Sequence, residues 1–320
     1  MKTTGVVYIG IDVSKETLDV NAGGLGAVRI RNSPADIRKA LAALARKSAD
    51  AGLAPHVCHE STGSYADALA GACRAAGMPR SVLNPYKVAL FARAVAHAKT
   101  DRIDAAVIRR YAEANPPAPT VDPRPAVAKL RALTRARDTL VRNAGRIRPI
   151  LKTVADPDAA KALKQALAAL DKAIAGLDAR IAEAAAADPE TAGLVKALTA
   201  IDGIGALTAA KVLGGMPGLG TLGRRKAPAL AGLAPRTRES GNWKGKARTG
   251  GGRADVREAL YMPALTAATR KGPLTAFYGR LTAGGKPAKV ALTAVMRKLI
   301  CRMDAVAAGY YAGLKKPAQD

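Results

Sequence analysis

Cysteine is scarce in this chain and odd in number. Cys58, Cys73 and Cys301 share no metal-ligand spacing, which argues against metal bound through thiolates and fits a reducing cytoplasm. No uninterrupted apolar stretch approaches the ~20 residues that would cross a bilayer. The opening MKTTGVVYIGID sets a polar pair before a short run that meets Gly and Asp, too little for the apolar core of a signal peptide. Aromatic residues make up 3% of the chain, with one tryptophan. Acids are outnumbered, 25 Asp and Glu against 51 Lys and Arg, for a net charge of +26. Such an excess calls for a polyanionic partner. Nucleic acid comes first, because cationic side chains displace condensed counterions from phosphates, and a basic membrane surface second.

What is present is enough for a folded, multidomain protein. The 320 residues allow about two domains, and 49% hydrophobic content excludes a wholly disordered basic tail. Charge is unevenly placed: residues 191–320 carry 22 Lys and Arg against 6 Asp and Glu, whereas residues 1–120 carry 16 against 10. Pro116, Pro117 and Pro119 fall in EANPPAPTVDPRP, which cannot continue a helix and reads as a linker. These features suggest domains at 1–115 and 196–320, with a linker and helical segment at 116–195.

In the first segment, GVVYIGID, LDVNA and AVRIRN read as a three-stranded meander. A helix starts at Ser33/Pro34, a strand PHVCHES carries Glu60 at its end, a helix runs from about Ser64 to Ala76, and RSVLNP is a short strand. KTDRIDAAVIRRYAE closes the segment as a helix. The pattern predicts a mixed α/β sheet covered by helices. In the middle segment Leu130, Leu133, Leu140, Ile147 and Leu151 share one helical face, while Arg131, Arg135, Arg142 and Arg146 fall within about 60° of one another. Leu163, Leu167, Leu170, Ile174, Leu177 and Ile181 then repeat as a coiled-coil seam, which predicts a helical hairpin packing on itself or on another copy. The last segment reads as mostly α-helical. It opens with LTAIDGIGALTAAKVLGG, where Gly203 and Gly205 separate two short helices in a helix-hairpin-helix-like element. Such a turn either presents N–H groups to phosphate or simply joins helices.

Four acids stand where a sheet edge could collect them: Asp12 and Glu60 at strand ends, Asp101 and Asp104 three apart on one helix. Packed carboxylates repel unless a cation neutralises them. Mg²⁺ or Mn²⁺ prefers such oxygen ligands, and a pair of these ions activates attacking and leaving oxygens in phosphodiester chemistry. Each acid also has an ordinary role open to it. Asp12 could cap the DVSKE turn, Glu60 the following helix, and Asp101 or Asp104 could pair with Arg102 or Arg109.

The stretch 235–253, PRTRESGNWKGKARTGGGR, holds Arg236, Arg238, Lys244, Lys246, Arg248 and Arg253 among glycines, with Arg224 and Arg225 upstream and Glu239 the single acid. Its composition is that of a phosphate cradle. Ser240 could attack phosphorus or merely contact phosphate. His56, His59 and His97 all lie in the first segment, so Ser240 has no local histidine base. Trp243 could stack on a base or anchor a core.

At these residues the chain resembles the insertion-sequence 110 family of transposases, related to the Piv and MooV DNA invertases. The matching stretches are GIDVSKETLDV, HESTGSY, KTDRIDAAVIRRYA, LTAIDGIGALTAAKVL and LAGLAPRTRESGNWKGK. The resemblance implies a RuvC-like, RNase H-type front domain whose Asp-Glu-Asp-Asp set, here Asp12, Glu60, Asp101 and Asp104, binds Mg²⁺. It also implies a carboxyl-terminal domain whose serine, here Ser240, forms a covalent phosphoserine link to DNA. A non-coding guide RNA would pair with donor and target DNA, and homo-oligomers would form composite sites. The protein would then be cytoplasmic, bound to the nucleoid when active and to no membrane. Three competing functions remain at this stage: a junction-resolving nuclease that activates water with the acids alone, an actin-like ATPase or sugar kinase suggested by G-I-D-x-S, and a non-enzymatic nucleoid protein.

Overall fold

The computed structural model describes residues 5–61, 63–95, 101–237, 239–240, 243–245 and 247–314. It divides into two compact units, Met1–Val121 and Asp122–Asp320.

The first unit is a mixed sheet between two helical layers. β-Branched residues at every other position favour an extended pleat and build β1 (Gly5–Val13); β2 (Thr17–Asn21) pairs antiparallel with β1, and β3 (Ala27–Arg31) antiparallel with β2. Helix α1 (Pro34–Asp50) starts where expected: Ser33 Oγ accepts the Asp36 N–H at 3.2 Å and proline occupies the first turn. Next come β4 (Leu53–Glu60), a 3₁₀ turn, α2 (Asp67–Ala75), β5 (Arg80–Leu83), α3 (Pro85–Val95) and α4 (Asp101–Ala114). The strand order is β3-β2-β1-β4-β5, with β4 and β5 parallel to β1. The strand expected over RSVLNP stops at Leu83, and Pro85 instead opens α3, for which no helix is expected from the sequence; Asn84 marks its start, its Oδ1 accepting the Tyr86 N–H at 2.9 Å.

Alternation along the strands sorts their side chains. Ile9, Ile11, Val13, Leu18, Val20 and Val57 face α1 and α2. Tyr8, Cys58 and Leu83 point the other way, into the cluster formed with Val88, Val107 and Ile108 of α3 and α4. Gly10 belongs to that second face, and a Cβ there would lie 2.1 Å from the Ala105 carbonyl oxygen and 2.6 Å from the Arg109 nitrogen. Helix α4 thus lies directly on β1, which no larger residue permits. Gly10→Ala should destabilise this unit by about 3 kcal/mol or more, because the obstacle is backbone that cannot rotate away; urea denaturation measures it.

The second unit is helical. α5 (Pro125–Thr153) and α6 (Pro157–Ala186) form a hairpin, its seam residues Leu163 through Leu177 half-buried and Ile181 buried. Arg137–Asp178 and Arg148–Asp171 pair across it, the latter at 2.8 Å. α7 (Pro189–Thr199) and α8 (Ala206–Gly215) flank the Gly203 turn, where φ is +84°. α9 (Gly223–Leu230), a two-stranded arm of β6 (Glu239–Ser240) and β7 (Trp243–Lys244), α10 (Ala254–Ala259), α11 (Tyr261–Thr269), α12 (Pro273–Ala283) and α13 (Ala288–Leu314) follow. Leu198, Val212, Met216, Leu260, Leu299 and Met303 centre the core. Buried Asp304 of α13 accepts the N–H groups of Gly220 and Gly223, each at 2.7 Å, and so ties the loop after α8 to the core.

Candidate functional site

Two acids share the α4 face of the sheet. Asp12 follows Gly10 by two residues and therefore projects on the same side. Glu60 follows Cys58 by two and stands opposite Leu83 of the same cluster. Tyr8 and Tyr111 lie further back in that cluster, so the start of α4, with Asp104, lies toward the strand ends that carry Asp12 and Glu60. Asp12, Glu60 and Asp104 are each half-buried. Asp101 opens α4, and its side chain lies outside the described residues.

Two of the ordinary roles, closing the turn after β1 and pairing with Arg109, are taken by other groups. The turn after β1 is closed by Ser14, whose hydroxyl donates to the Thr17 carbonyl at 2.8 Å and accepts the Thr17 N–H at 3.0 Å. Arg109 reaches Glu113 and, at 2.9 Å, Asn21. Among the described residues no three His, Cys, Asp or Glu side chains are gathered closely enough to hold an ion. The donor chemistry nonetheless suits a hard divalent cation: every candidate is a carboxylate, and they come from two adjacent parallel strands and the helix crossing them.

Several groups hold this edge, and the sequence did not single them out for it. Asp19 sits directly across from Asp12 in the β1–β2 ladder, only 5% exposed. Arg29 clamps it with hydrogen bonds of 2.7, 2.9 and 3.1 Å, so its charge is met inside the sheet. The Asn32 amide donates to the Ser14 carbonyl at 2.8 Å and the Tyr65 carbonyl at 3.0 Å, bridging the loops that follow β1 and β4. His59, beside Glu60, accepts from Arg80 through Nε2 at 2.9 Å. Its Nδ1 therefore carries the proton and donates to the Glu60 carbonyl at 2.7 Å.

The serine stands elsewhere in the chain, on the arm of the second unit. Ser240 pairs with Trp243 across β6 and β7. The arm is pinned at its foot by mutual backbone hydrogen bonds between Arg236 and Arg248, 2.9 and 3.1 Å long. Gly232 and Gly251 meet there so closely that a Cβ on Gly232 would lie 2.2 Å from the Gly251 carbonyl. Arg257 donates to that carbonyl at 2.9 Å. Arg238 and Lys246 lie outside the described residues, as do the side chains of Ser240, Trp243 and Lys244. On α5, Arg131 is half-buried while Arg135, Arg142 and Arg146 are exposed.

A family model for the DEDD transposases of the IS110 group, described as a transposase, matches residues 9–156. A second, described as Transposase IS116/IS110/IS902 family, matches residues 195–279. The chain belongs to the IS110 family of transposases. No curated protein matches the chain. As a transposase it is an enzyme that recombines DNA, and its mixed five-stranded unit is consistent with an RNase H-like DEDD domain. Among the described residues no helix is long and apolar enough to cross a membrane.

The transposase should show an acid sensitivity that originates at His59. Burial, with the Arg80 cation adding to it, lowers the His59 pKa from 6.5 to about 4. Below pH 6.5 the unfolded chain takes up a proton that the folded one refuses, so stability falls as pH drops from about 6.5 to about 4. The loss approaches about 3 kcal/mol. Urea denaturation of His59→Gln should lack this component of the pH dependence.

Proposed function

We propose that this transposase is a guide-RNA-directed recombinase that cuts and rejoins DNA through Ser240. The observation that carries this is the pairing of an oxygen-only acidic edge in one unit with a serine on a pinned, cation-rich arm in the other, each inside a matched family stretch. Asp12, Glu60, Asp101 and Asp104 would hold Mg²⁺ or Mn²⁺. Bound there, the ion supplies Lewis-acid polarisation of a phosphoryl oxygen.

The chain's own groups do the rest. Ser240 Oγ attacks the scissile phosphorus; the new P–O bond to serine replaces the bond to the sugar oxygen. The hydroxyl proton passes to a base and the departing sugar oxygen takes one up. Because a phosphodiester is exchanged for a phosphodiester, no bond energy is lost to water, and reversal with a different strand end rejoins the DNA. Arg236, Arg238, Lys244, Lys246 and Arg248 neutralise the strands that approach the arm, Trp243 offers a stacking face, and Arg142 and Arg146 extend the cationic surface along α5. A pairing RNA supplies the sequence choice that a chain so poor in aromatics does not read for itself. Homo-oligomers would let the acidic edge of one subunit serve the serine of another, with the enzyme cytoplasmic and bound to the nucleoid when active.

The test is to incubate the protein, with its co-purifying RNA, Mg²⁺ and labelled DNA, and to look for a denaturation-resistant adduct mapped by mass spectrometry. A phosphoserine at residue 240 and a recurrent structured RNA support the proposal. Cleavage with hydrolysed ends and no adduct would make the enzyme a water-using nuclease.

A further inference from the structure

Between Ala259 and Met303 the chain carries eight Lys and Arg and no Asp or Glu. The acid that ends this run, Asp304, is buried and turned inward, where it accepts the N–H groups of Gly220 and Gly223. All eight cations are exposed, but they are not alike. Arg280 and Lys298 lie over the Phe277 ring, 5.6 and 4.1 Å from its centre. Arg270, Lys271 and Arg302 instead line one cavity of about 170 Å³, together with Asp202, Thr266 and Pro273. Helix packing builds this cavity. Thr275 Oγ1 donates to the Ala267 carbonyl at 3.1 Å and to the Arg270 carbonyl, which folds the start of α12 back on the end of α11. α13 supplies Arg302, and the Gly203 turn supplies Asp202. That turn is itself packed against α11: a Cβ on Gly203 would lie 3.0 Å from the Pro263 carbonyl oxygen, and the Ile204 N–H donates to Ile201 at 2.9 Å. Whatever enters the cavity therefore meets the cationic side chains of α11 and α13 and the turn that joins α11 to α12.

Three cations share this lining with one carboxylate, and among the described residues none of the four side chains has an ion pair or a hydrogen bond. Elsewhere in this unit cations are met: Arg124 by Asp188 and Glu190, Arg137 by Asp178, Arg148 by Asp171, and Lys211 by Asp138. A guanidinium keeps its proton in a protein, so like charges collected at one cavity leave a standing attraction for an anion. Size narrows the choice of anion. The cavity is smaller than the ~300–1,000 Å³ of pockets that enclose a drug-sized ligand. It takes one small anionic group and leaves the rest of a larger ligand outside.

We propose that Arg270, Lys271 and Arg302 seat one backbone phosphate of a nucleic-acid strand in this cavity, a site that has no residue of the Ser240 arm in its lining. The fork of a guanidinium matches two oxygens of a tetrahedral phosphate, and the Lys271 ammonium adds a point charge. Thr266, one turn before Arg270 on α11, brings a hydroxyl to the same wall. Because the three cations are exposed as well as lining the cavity, a strand can cross its mouth with one phosphate inside. Such a contact fixes the register of the strand and carries no chemistry. The identity of the ligand as nucleic acid rests on the recombinase reading, and DNA and guide RNA present the same phosphate.

The test compares full-length wild type with two double variants by anisotropy titration, using a DNA duplex and, separately, single-stranded RNA over a range of salt. Arg270→Gln/Arg302→Gln empties the cavity of its guanidinium groups. Lys286→Gln/Lys289→Gln removes the same charge from the same acid-free run, outside the cavity. The cavity variant should lose about tenfold in affinity for at least one nucleic acid and about 1 in its log–log salt slope, the signature of one lost phosphate contact. The control should keep most of both. A loss with DNA alone, with RNA alone or with both identifies the strand that supplies the phosphate. Lysine acetylation of the unsubstituted protein, read by mass spectrometry, is the second measurement: bound nucleic acid should protect Lys271 and leave Lys289 reactive. Unchanged binding in the cavity variant, equal losses in the two variants, or a Lys271 that reacts as fast with nucleic acid as without it would overturn the site. Neither measurement needs strand exchange, so protection and slope loss without a serine adduct would remove the serine chemistry and leave the site standing. Adducts formed by a protein whose cavity variant binds normally would do the reverse.

Discussion

Ser240→Ala should eliminate covalent protein–DNA adducts and leave nucleic-acid binding within about twofold of wild type. The substitution removes one oxygen from a residue whose strand is held by backbone pairing with Trp243. The foot of the arm is fixed by backbone, through the Arg236–Arg248 hydrogen bonds and the Gly232–Gly251 contact. Losing a covalent nucleophile costs on the order of 10⁴-fold or more, because no neighbouring group substitutes for the bond it forms. Labelled DNA retained on protein through denaturation provides the measurement, and binding titrations on the same preparation show that the arm and its cations survive. Adducts persisting in the variant would move the nucleophile to another residue. Cleavage persisting at wild-type rate without adducts would transfer the chemistry to water and to the acids alone.

The parts legible in the sequence are those whose cause is local. β1 announces itself by its β-branched run, α1 by Ser33 and Pro34, and the coiled-coil seam by its leucine spacing, since each depends on residues within a few positions. Asp12 and Glu60 could be picked out because strand ends are where side chains leave the sheet together. Asp19 could not: Thr17, Asp19 and Asn21 read as the solvent side of a half-exposed strand, and only α4 makes that side interior. Arg109, which reaches Asn21 from 88 residues away, is the visible sign of the covering helix. His59 likewise reads as an isolated histidine until Arg80 fixes its tautomer.

Long-range packing also separates cations that composition treats alike. Arg253 reads as one of several charges in a glycine-rich loop, equivalent to Arg248. The chain turns at Gly251 and Gly252, both at positive φ, and brings the next residue beside Arg131, which no periodicity could anticipate. Ser240, the proposed nucleophile, has no local signature: one hydroxyl among cations reads equally as an attacking group or a phosphate contact, and the family resemblance alone favours attack.

Asp12→Asn and Asp19→Asn form the second decisive comparison, because they place the same change on two acids that face each other across one ladder. Asn at position 12 keeps the size of the side chain and the backbone pairing of β1, and the turn beyond it is closed by Ser14. What disappears is one anionic oxygen donor from a set suited to a hard cation. Divalent affinity and strand cleavage should both fall by more than the ~10–100-fold that loss of an outer-shell partner costs. At position 19 the order reverses. Arg29 makes three hydrogen bonds to that carboxylate, and hydrogen bonds to a charged group are each worth about 1.5–3 kcal/mol, so Asp19→Asn should lower stability while divalent affinity holds. Calorimetric titration with Mn²⁺ and urea denaturation on both variants separate the two roles. Equal Mn²⁺ affinity in Asp12→Asn and wild type would remove Asp12 from the metal-holding set, and a larger loss in Asp19→Asn would put the buried acid in its place.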